Sequence, residues 1–196
     1  MELITSDLLN SAISKLRPFE KKQIFTGLEW LSNNGLLKNL VMIGGCAIAT
    51  YCPGRELTPD FDLVASDFDL ARIIVQLEND DLEYKPLMTN SLIGYQIPIY
   101  NVDVIKPGDG NDLINYAFKY CHSVELNSIK VKVIIPELLL IIKLLLGREK
   151  DLNDAFRLVE SKAVDNDKYN QLLDLLFNDS LNSDYELLKS YSLLLN

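Results

Sequence analysis

At 196 residues the chain is long enough for one domain, or a domain with an appendage, around a substantial core. Hydrophobic residues make up 48% and charged residues 24%, an ordinary balance for a soluble globular protein. The net charge of -9 disfavours non-specific binding to a nucleic-acid backbone, although a local basic patch stays open.

Helices are expected first. Thr5 or Ser6 can cap one that runs through Leu16. Pro18 suits the first turn of a second, on which Ile24, Phe25, Leu28 and Leu31 form an apolar stripe, and Asn33-Asn34-Gly35 ends it. Arg17, Lys21 and Lys22 lie close together. A solvated helix face is the ordinary reading of such a group, and contact with a polyanion is the alternative.

Val41 to Val64 is the stretch with chemistry in it. Leu40 to Ile43 is a short apolar strand, Gly44-Gly45 a turn, Ala47 to Tyr51 a short helix, and Pro53-Gly54 stops that helix. In Pro59-Asp60-Phe61-Asp62-Leu63 the acids alternate with apolar residues. A strand there puts both carboxylates on one face and Phe61 and Leu63 on the other. Side-by-side carboxylates repel unless a cation lies between them. The helix start just upstream offers N–H groups to an anion.

The second DFDL, Asp67 to Leu70, has a different setting. Ser66 with Asp69 fits a capping box, and Ala71, Ile73, Ile74 and Leu77 continue at helical spacing, so these acids are assigned to capping. Asn79-Asp80-Asp81 ends that helix, and Leu92 to Ile105 holds one or two strands broken near Pro98. Asp103 points opposite to Val102 and Val104. It is either a strand-edge acid facing water or a third acid joining Asp60 and Asp62. A loop at 107–110, a helix over Asn111 to Tyr120 and further strand within Val124 to Ile135 follow.

From Pro136 the pattern is helical. Glu137 to Leu146 is apolar nearly all round and reads as buried. Lys143 interrupts it, and either snorkels to water or reaches the site as a point charge for phosphate. The run from Gly147 to Asp154 reads, taken alone, as a solvated turn and helix start, with the helix resuming over Ala155 to Val159. Amphipathic segments near Tyr169 to Phe177 and Tyr185 to Leu195 complete the chain. Cys46, Cys52 and Cys121 show no metal spacing and read as reduced thiols, and the single histidine, His122, reads as structural. MELITSDLLN lacks the features of a signal peptide, and Ile134 to Leu146 is too short and too charged to span a bilayer. A cytoplasmic protein is expected.

Ile43-Gly44-Gly45, Arg55, Thr58, Asp60 to Leu63, Val102-Asp103-Val104, Lys143-Leu144 and Arg148 to Asp154, in this order, resemble the polymerase-β-type nucleotidyltransferase superfamily. Within it the pattern looks most like the branch of abortive-infection AbiEii-like toxins and their uncharacterised relatives. The resemblance covers about Leu40 to Leu158. It implies an α+β fold, a small mixed β-sheet flanked by helices, with a core over residues 1–135 and a C-terminal helical region over 136–196 packed on it.

The resemblance also implies roles. Gly44, Gly45, Thr58 and Lys143 would contact the NTP co-substrate. Asp60, Asp62 and Asp103 would hold Mg²⁺ or Mn²⁺, and Asp151 (or Asp154) would act on the base or acceptor side. Two departures stand out: Cys46 replaces the Ser of many relatives, and Arg55 and Thr58 are one residue further apart than in the Arg-x-Thr-x-Asp form. The implied reaction transfers a nucleoside monophosphate to a hydroxyl of RNA, protein or a small molecule, releasing pyrophosphate. A catalytically weak nucleotide- or partner-binding module is the alternative, and a metal-dependent phosphohydrolase the third reading. No membrane partner is expected, and an antitoxin partner follows from analogy alone.

Overall fold

The computed structural model, which describes residues 4–57, 59–88, 92–107, 112–177 and 183–191, is built on a seven-stranded mixed sheet. Its strands are β1 (Val41–Met42), β2 (Phe61–Val64), β3 (Lys85–Met88), β4 (Leu92–Ile97), β5 (Val102–Pro107), β6 (Cys121–Leu126) and β7 (Ile129–Ile134). They lie in the order β3-β4-β5-β2-β1-β7-β6, with β2 in the middle. β2 runs parallel to β5 and antiparallel to β1, while β1 runs parallel to β7. The outer pairs are antiparallel.

The described helices are α1 (Asp7–Ser14), α2 (Pro18–Asn33), α3 (Gly44–Tyr51), α4 (Asp67–Asn79), α5 (Asp112–Lys119), α6 (Pro136–Leu146), α7 (Glu149–Glu160), α8 (Asn166–Leu176) and α9 (Ser183–Tyr191). A parallel β2–β5 pair needs a crossover, and α4 with the β3–β4 hairpin supplies it; α4 packs back on β5. The expected class, a small mixed sheet flanked by helices, is the one observed.

Alternation along β2 and β5 divides the middle of the sheet into two faces. Phe61, Leu63, Val102 and Val104 are fully buried in the main core, with Val131 and Val133 of β7 and Leu138 to Ile141 of α6. The opposite face carries Asp62 and Asp103 and then, two residues along each strand, Val64 and Ile105. These two form a small separate cluster with Ile43, Leu87 and Phe118. The acids therefore sit where the second face has not yet become apolar.

Several boundaries differ from expectation for physical reasons. The first helix begins at Asp7 and ends at Ser14, two residues short of Leu16. α3 starts at Gly44, so the glycines form its first turn and do not precede it. β3 has no clear alternation and contains Pro86, which is tolerated because β3 is an edge strand. β6 begins at Cys121, earlier than the polar Cys-His-Ser start suggests, because it pairs with β7 from Cys121↔Ile134 onward. Pro98 opens a single 3-10 turn to Tyr100, as the expected break requires. The charged run is helix from Glu149, and it is not solvated throughout: Asp151 and Asp154 are buried.

Ser66 does cap α4, accepting from the Asp69 N–H at 3.1 Å. His122 sits beside Tyr51, whose hydroxyl donates to the Ile134 carbonyl at 2.8 Å and lies 3.2 Å from His122 Nδ1. At 11 residues α6 is about 16 Å long, roughly half a bilayer core. Among the described residues no helix is long and apolar enough to cross a membrane.

Candidate active site

Asp62 and Asp103 are register partners on adjacent parallel strands, second in β2 and second in β5. Partners in a ladder share a face, so both carboxylates project from the same side of the sheet. Asp60 stands just before β2, in the short link fastened by the Phe61 N–H donating to the Asn101 carbonyl at 2.9 Å. Burial first, then the charges of Asp60 and Asp103, push the Asp62 carboxyl up to about 7. Lys143 and a hydrogen bond from the Gly45 N–H pull it the other way without prevailing. Asp103 is likewise raised, by burial and then by Asp60, against a hydrogen bond from Gln96. Asp103 Oδ1 is buried and has no partner. The three acids form one electrostatic cluster. Among the described residues, however, no three His, Cys, Asp or Glu side chains stand together in a group that could hold a metal ion.

The glycines lie against the same carboxylates. β1 ends at Met42, the Ile43 N–H donates to the Asp62 carbonyl at 3.0 Å, and α3 starts at once. Gly44 has φ +67°, and a Cβ placed there would stand 1.8 Å from Asp62 Oδ2. Only glycine fits, because both the backbone and the contact exclude a side chain. Cys46 is fully buried and its thiol points to the Asp60 carbonyl at 3.6 Å, where burial and the nearby Asp62 and Asp60 push its pKa up. It is a weak donor to the link carrying Asp60, not a nucleophile.

A second ionic group lies on the helical side. Lys143 is 7% exposed, so it does not snorkel. Its Nζ meets Asp151 Oδ1 at 2.8 Å and Asp154 Oδ2 at 3.1 Å. Arg148 holds the other oxygen of Asp151, and Arg55 Nε holds Asp154 Oδ1 at 2.8 Å. Burial alone would raise the Asp151 carboxyl, but hydrogen bonds and charge from Arg148 and Lys143 hold it below the usual range. Lys143 still acts on Asp62 through space. The network thus ties the link before β2 to the α6–α7 pair, beside the acid cluster. Thr58 lies outside the described residues. A surface hollow of about 330 Å³ lined by Asn34, Leu36, Phe68, Ala71, Arg72, Val75 and Gln76 contains none of these groups and is remote from the chemistry in composition.

No family profile and no curated protein matches the chain. Solved structures do. The fold overlays on the Megavirus polyadenylate synthase with a TM-score of 0.50 at 12% identity, over 79% of this chain and 34% of the synthase. The chain shares its fold with part of that synthase. An antigenic nucleotidyltransferase-like protein from Paracoccidioides brasiliensis aligns at a TM-score of 0.45 and 18% identity, over 80% of this chain and 78% of that one. This chain spans about a third of the synthase, so the likeness concerns the fold of that part alone.

Three contacts around the acids have no counterpart in the sequence pattern: Gln96 on Asp103, Arg55 on Asp154, and the Gly45 N–H on Asp62. Only Gln96 left a trace, as a polar residue before Ile97 in an otherwise strand-like run.

The raised Asp62 pKa fixes a sign. Folded Asp62 keeps its proton to about pH 7, whereas an unfolded aspartate loses it near about 4. The folded chain binds the extra proton between these values, so this contribution to stability is complete below about pH 4 and is lost as pH rises through 7. Asp62→Asn removes it. In melts followed by circular dichroism without divalent ions, the variant unfolds at a higher temperature than wild type at pH 8, and the difference shrinks towards pH 4. Lys143→Met leaves two buried aspartates short of their shared cation and costs about 3 kcal/mol in urea unfolding. A cost near that of an exposed pair, below about 1 kcal/mol, contradicts the network.

Proposed function

We propose that the chain is a divalent-metal-dependent nucleotidyltransferase acting at the Asp60, Asp62 and Asp103 cluster. The observation that carries this reading is the Asp62–Asp103 ladder pair with Gly44 pressed against Asp62. The residues fit a hard cation. The donors are all carboxylate oxygens, one of them (Asp103 Oδ1) is buried without a partner, and the Asp62 carboxyl is raised by burial and by the charges of Asp60 and Asp103, which Lys143 and the Gly45 N–H offset only in part. Asp60, Asp62 and Asp103 would hold Mg²⁺ or Mn²⁺, which supplies Lewis-acid stabilisation of phosphoryl oxygens.

The chain's own groups do the rest. The start of α3 at Gly44 and Gly45 brings backbone N–H groups and the positive end of a helix to the acids, where a triphosphate can be received. For that, the Gly45 N–H exchanges its Asp62 partner for phosphate. Lys143 adds positive potential from a fixed position, since Asp151 and Asp154 hold it in place. Asp103 accepts the proton of the acceptor hydroxyl. The hydroxyl oxygen bonds to the α-phosphorus, the bond to the β-phosphate oxygen breaks, and pyrophosphate leaves with that electron pair. Asp151, fully buried between Lys143 and Arg148, serves in this scheme by fixing Lys143. The acceptor class is RNA, protein or a small molecule, and membership of the AbiEii-like branch, with an antitoxin partner, is the narrower form of the proposal.

One observation favours a second reading, a nucleotide- or partner-binding module with little turnover. Lys143, Gly45 N–H and the Cys46 thiol are all engaged within the protein. The two separate in one experiment. The protein is incubated with each α-labelled NTP, Mg²⁺ or Mn²⁺ and RNA, protein or small-molecule acceptors. Label transferred to an acceptor with stoichiometric pyrophosphate, and lost in Asp62→Asn, is the expected result. Tight NTP binding by calorimetry with no transfer overturns it in favour of the binding module, and release of inorganic phosphate would identify a phosphohydrolase.

A further inference from the structure

Arg17, Lys21 and Lys22 stand at the start of α2, with Lys15 just before them and Glu20 among them. Glu20 is buried and takes up Arg17. Lys15, Lys21 and Lys22 are exposed, and none has an ion-pair partner among the described residues. A chain of net charge -9 thus gathers uncompensated positive charge in one place. The helix dipole favours acids at this end and cations at the other, yet α2 has no basic residue in its last turn. Helix stability gives no reason for the lysines. Beside Lys22 on the helix surface, three residues before it, Phe19 is 69% exposed, and Ile99 of the adjoining 3-10 turn is 55% exposed.

This surface is fastened to the strands that carry the acids. Gln23 Nε2 donates to the Ile99 carbonyl at 3.0 Å, and Gln23 Oε1 accepts from Asn101 Nδ2 at 3.1 Å. The Asn101 carbonyl in turn accepts the Phe61 N–H, next to Asp60. Gly27 seats α2 hard on the same turn, since a Cβ there would stand 2.7 Å from Tyr100 Cβ. The start of α2 is therefore held at the end of the sheet where β2 and β5 begin, the end of Asp60, Asp62 and Asp103.

We propose that this surface binds a single-stranded nucleic acid, with phosphates on Lys15, Lys21 and Lys22 and a base stacked on Phe19. An exposed ring beside lysines offers a base its stacking face, which a duplex has no free base to use. Negative charge over the rest of the chain repels the strand and confines it here. That the bound strand is the acceptor rests on the transfer reading above; its binding does not.

The test is fluorescence anisotropy of a labelled 12-nucleotide single-stranded RNA with the full chain, in EDTA and without NTP, across a salt series. A DNA strand of the same sequence, run alongside, tells which sugar is preferred. The variants are Phe19→Ser, Lys21→Gln with Lys22→Gln, and, as a control at the opposite end of the sheet, Lys130→Gln. Wild type binds, and affinity falls with salt. The double lysine variant loses about 1.4 from the slope of log affinity against log salt, about 0.7 per phosphate contact. Phe19→Ser binds about tenfold more weakly with the slope unchanged. Lys130→Gln matches wild type, and all variants melt within a few degrees of it. No binding of either strand by wild type, or equal weakening by the α2 variants and the Lys130 control, overturns the surface. So does sedimentation with phosphatidylserine vesicles in the absence of strand binding, which marks a membrane-facing patch instead. Label transferred to a protein or small molecule by a chain that binds no strand overturns the surface and leaves the transferase. Strand binding without transfer leaves the surface and removes its acceptor role.

Discussion

Two like charges held opposite one another on neighbouring strands set the terms for this molecule. Parallel strands run about 5 Å apart, and at that spacing two carboxylates repel by about 3 kcal/mol at an effective dielectric of about 20. What keeps Asp62 and Asp103 in register is the reverse face of the same strands. Phe61, Leu63, Val102 and Val104 are fully buried there. At about 1.5–3 kcal/mol each, their burial contributes roughly 6–12 kcal/mol, which outweighs the repulsion. A slip of one residue would send these four to the other face, so the register cannot relax to separate the acids. The protonation equilibrium of Asp62 is displaced, by burial first and then by the charges of Asp60 and Asp103.

The contrast with Asp151 and Asp154 gives the site its meaning. Those two are at least as buried as the cluster acids, yet each has two cations within reach, and Asp151 is held below the usual carboxylate range. Similar groups in one small region are compensated on the helical side and uncompensated on the sheet. Fold stability alone gives no reason for the uncompensated set. The proposed function supplies one, since a bound cation would compensate these charges.

The alternation of Asp60 to Leu63 and the lone acid in Val102-Asp103-Val104 were legible because a strand has a period of two and each apolar neighbour says which way the acid points. The glycine pair was legible as a turn, but not as the first turn of α3, since the contact of Gly44 with Asp62 is made across the chain. The fate of Lys143 was not legible. Its helix is apolar nearly all round, so spacing gives it no face, its partners come from α7, and the angle at which α6 and α7 meet is not written in either segment. The Arg55–Asp154 bond joins residues 99 apart, and nothing local signals it. Charge in the run from Arg148 to Asp154 suggested water. The burial of its two aspartates depends on cations supplied mainly from elsewhere in the fold.

The central claim is most directly tested by a crystal of the full chain grown with a non-hydrolysable NTP and Mn²⁺, with the metal located by its anomalous scattering. The account predicts Mn²⁺ bounded by Asp60, Asp62 and Asp103, with nucleotide phosphates at the start of α3. Anomalous density elsewhere, or none among those three carboxylates while nucleotide is bound, would contradict it.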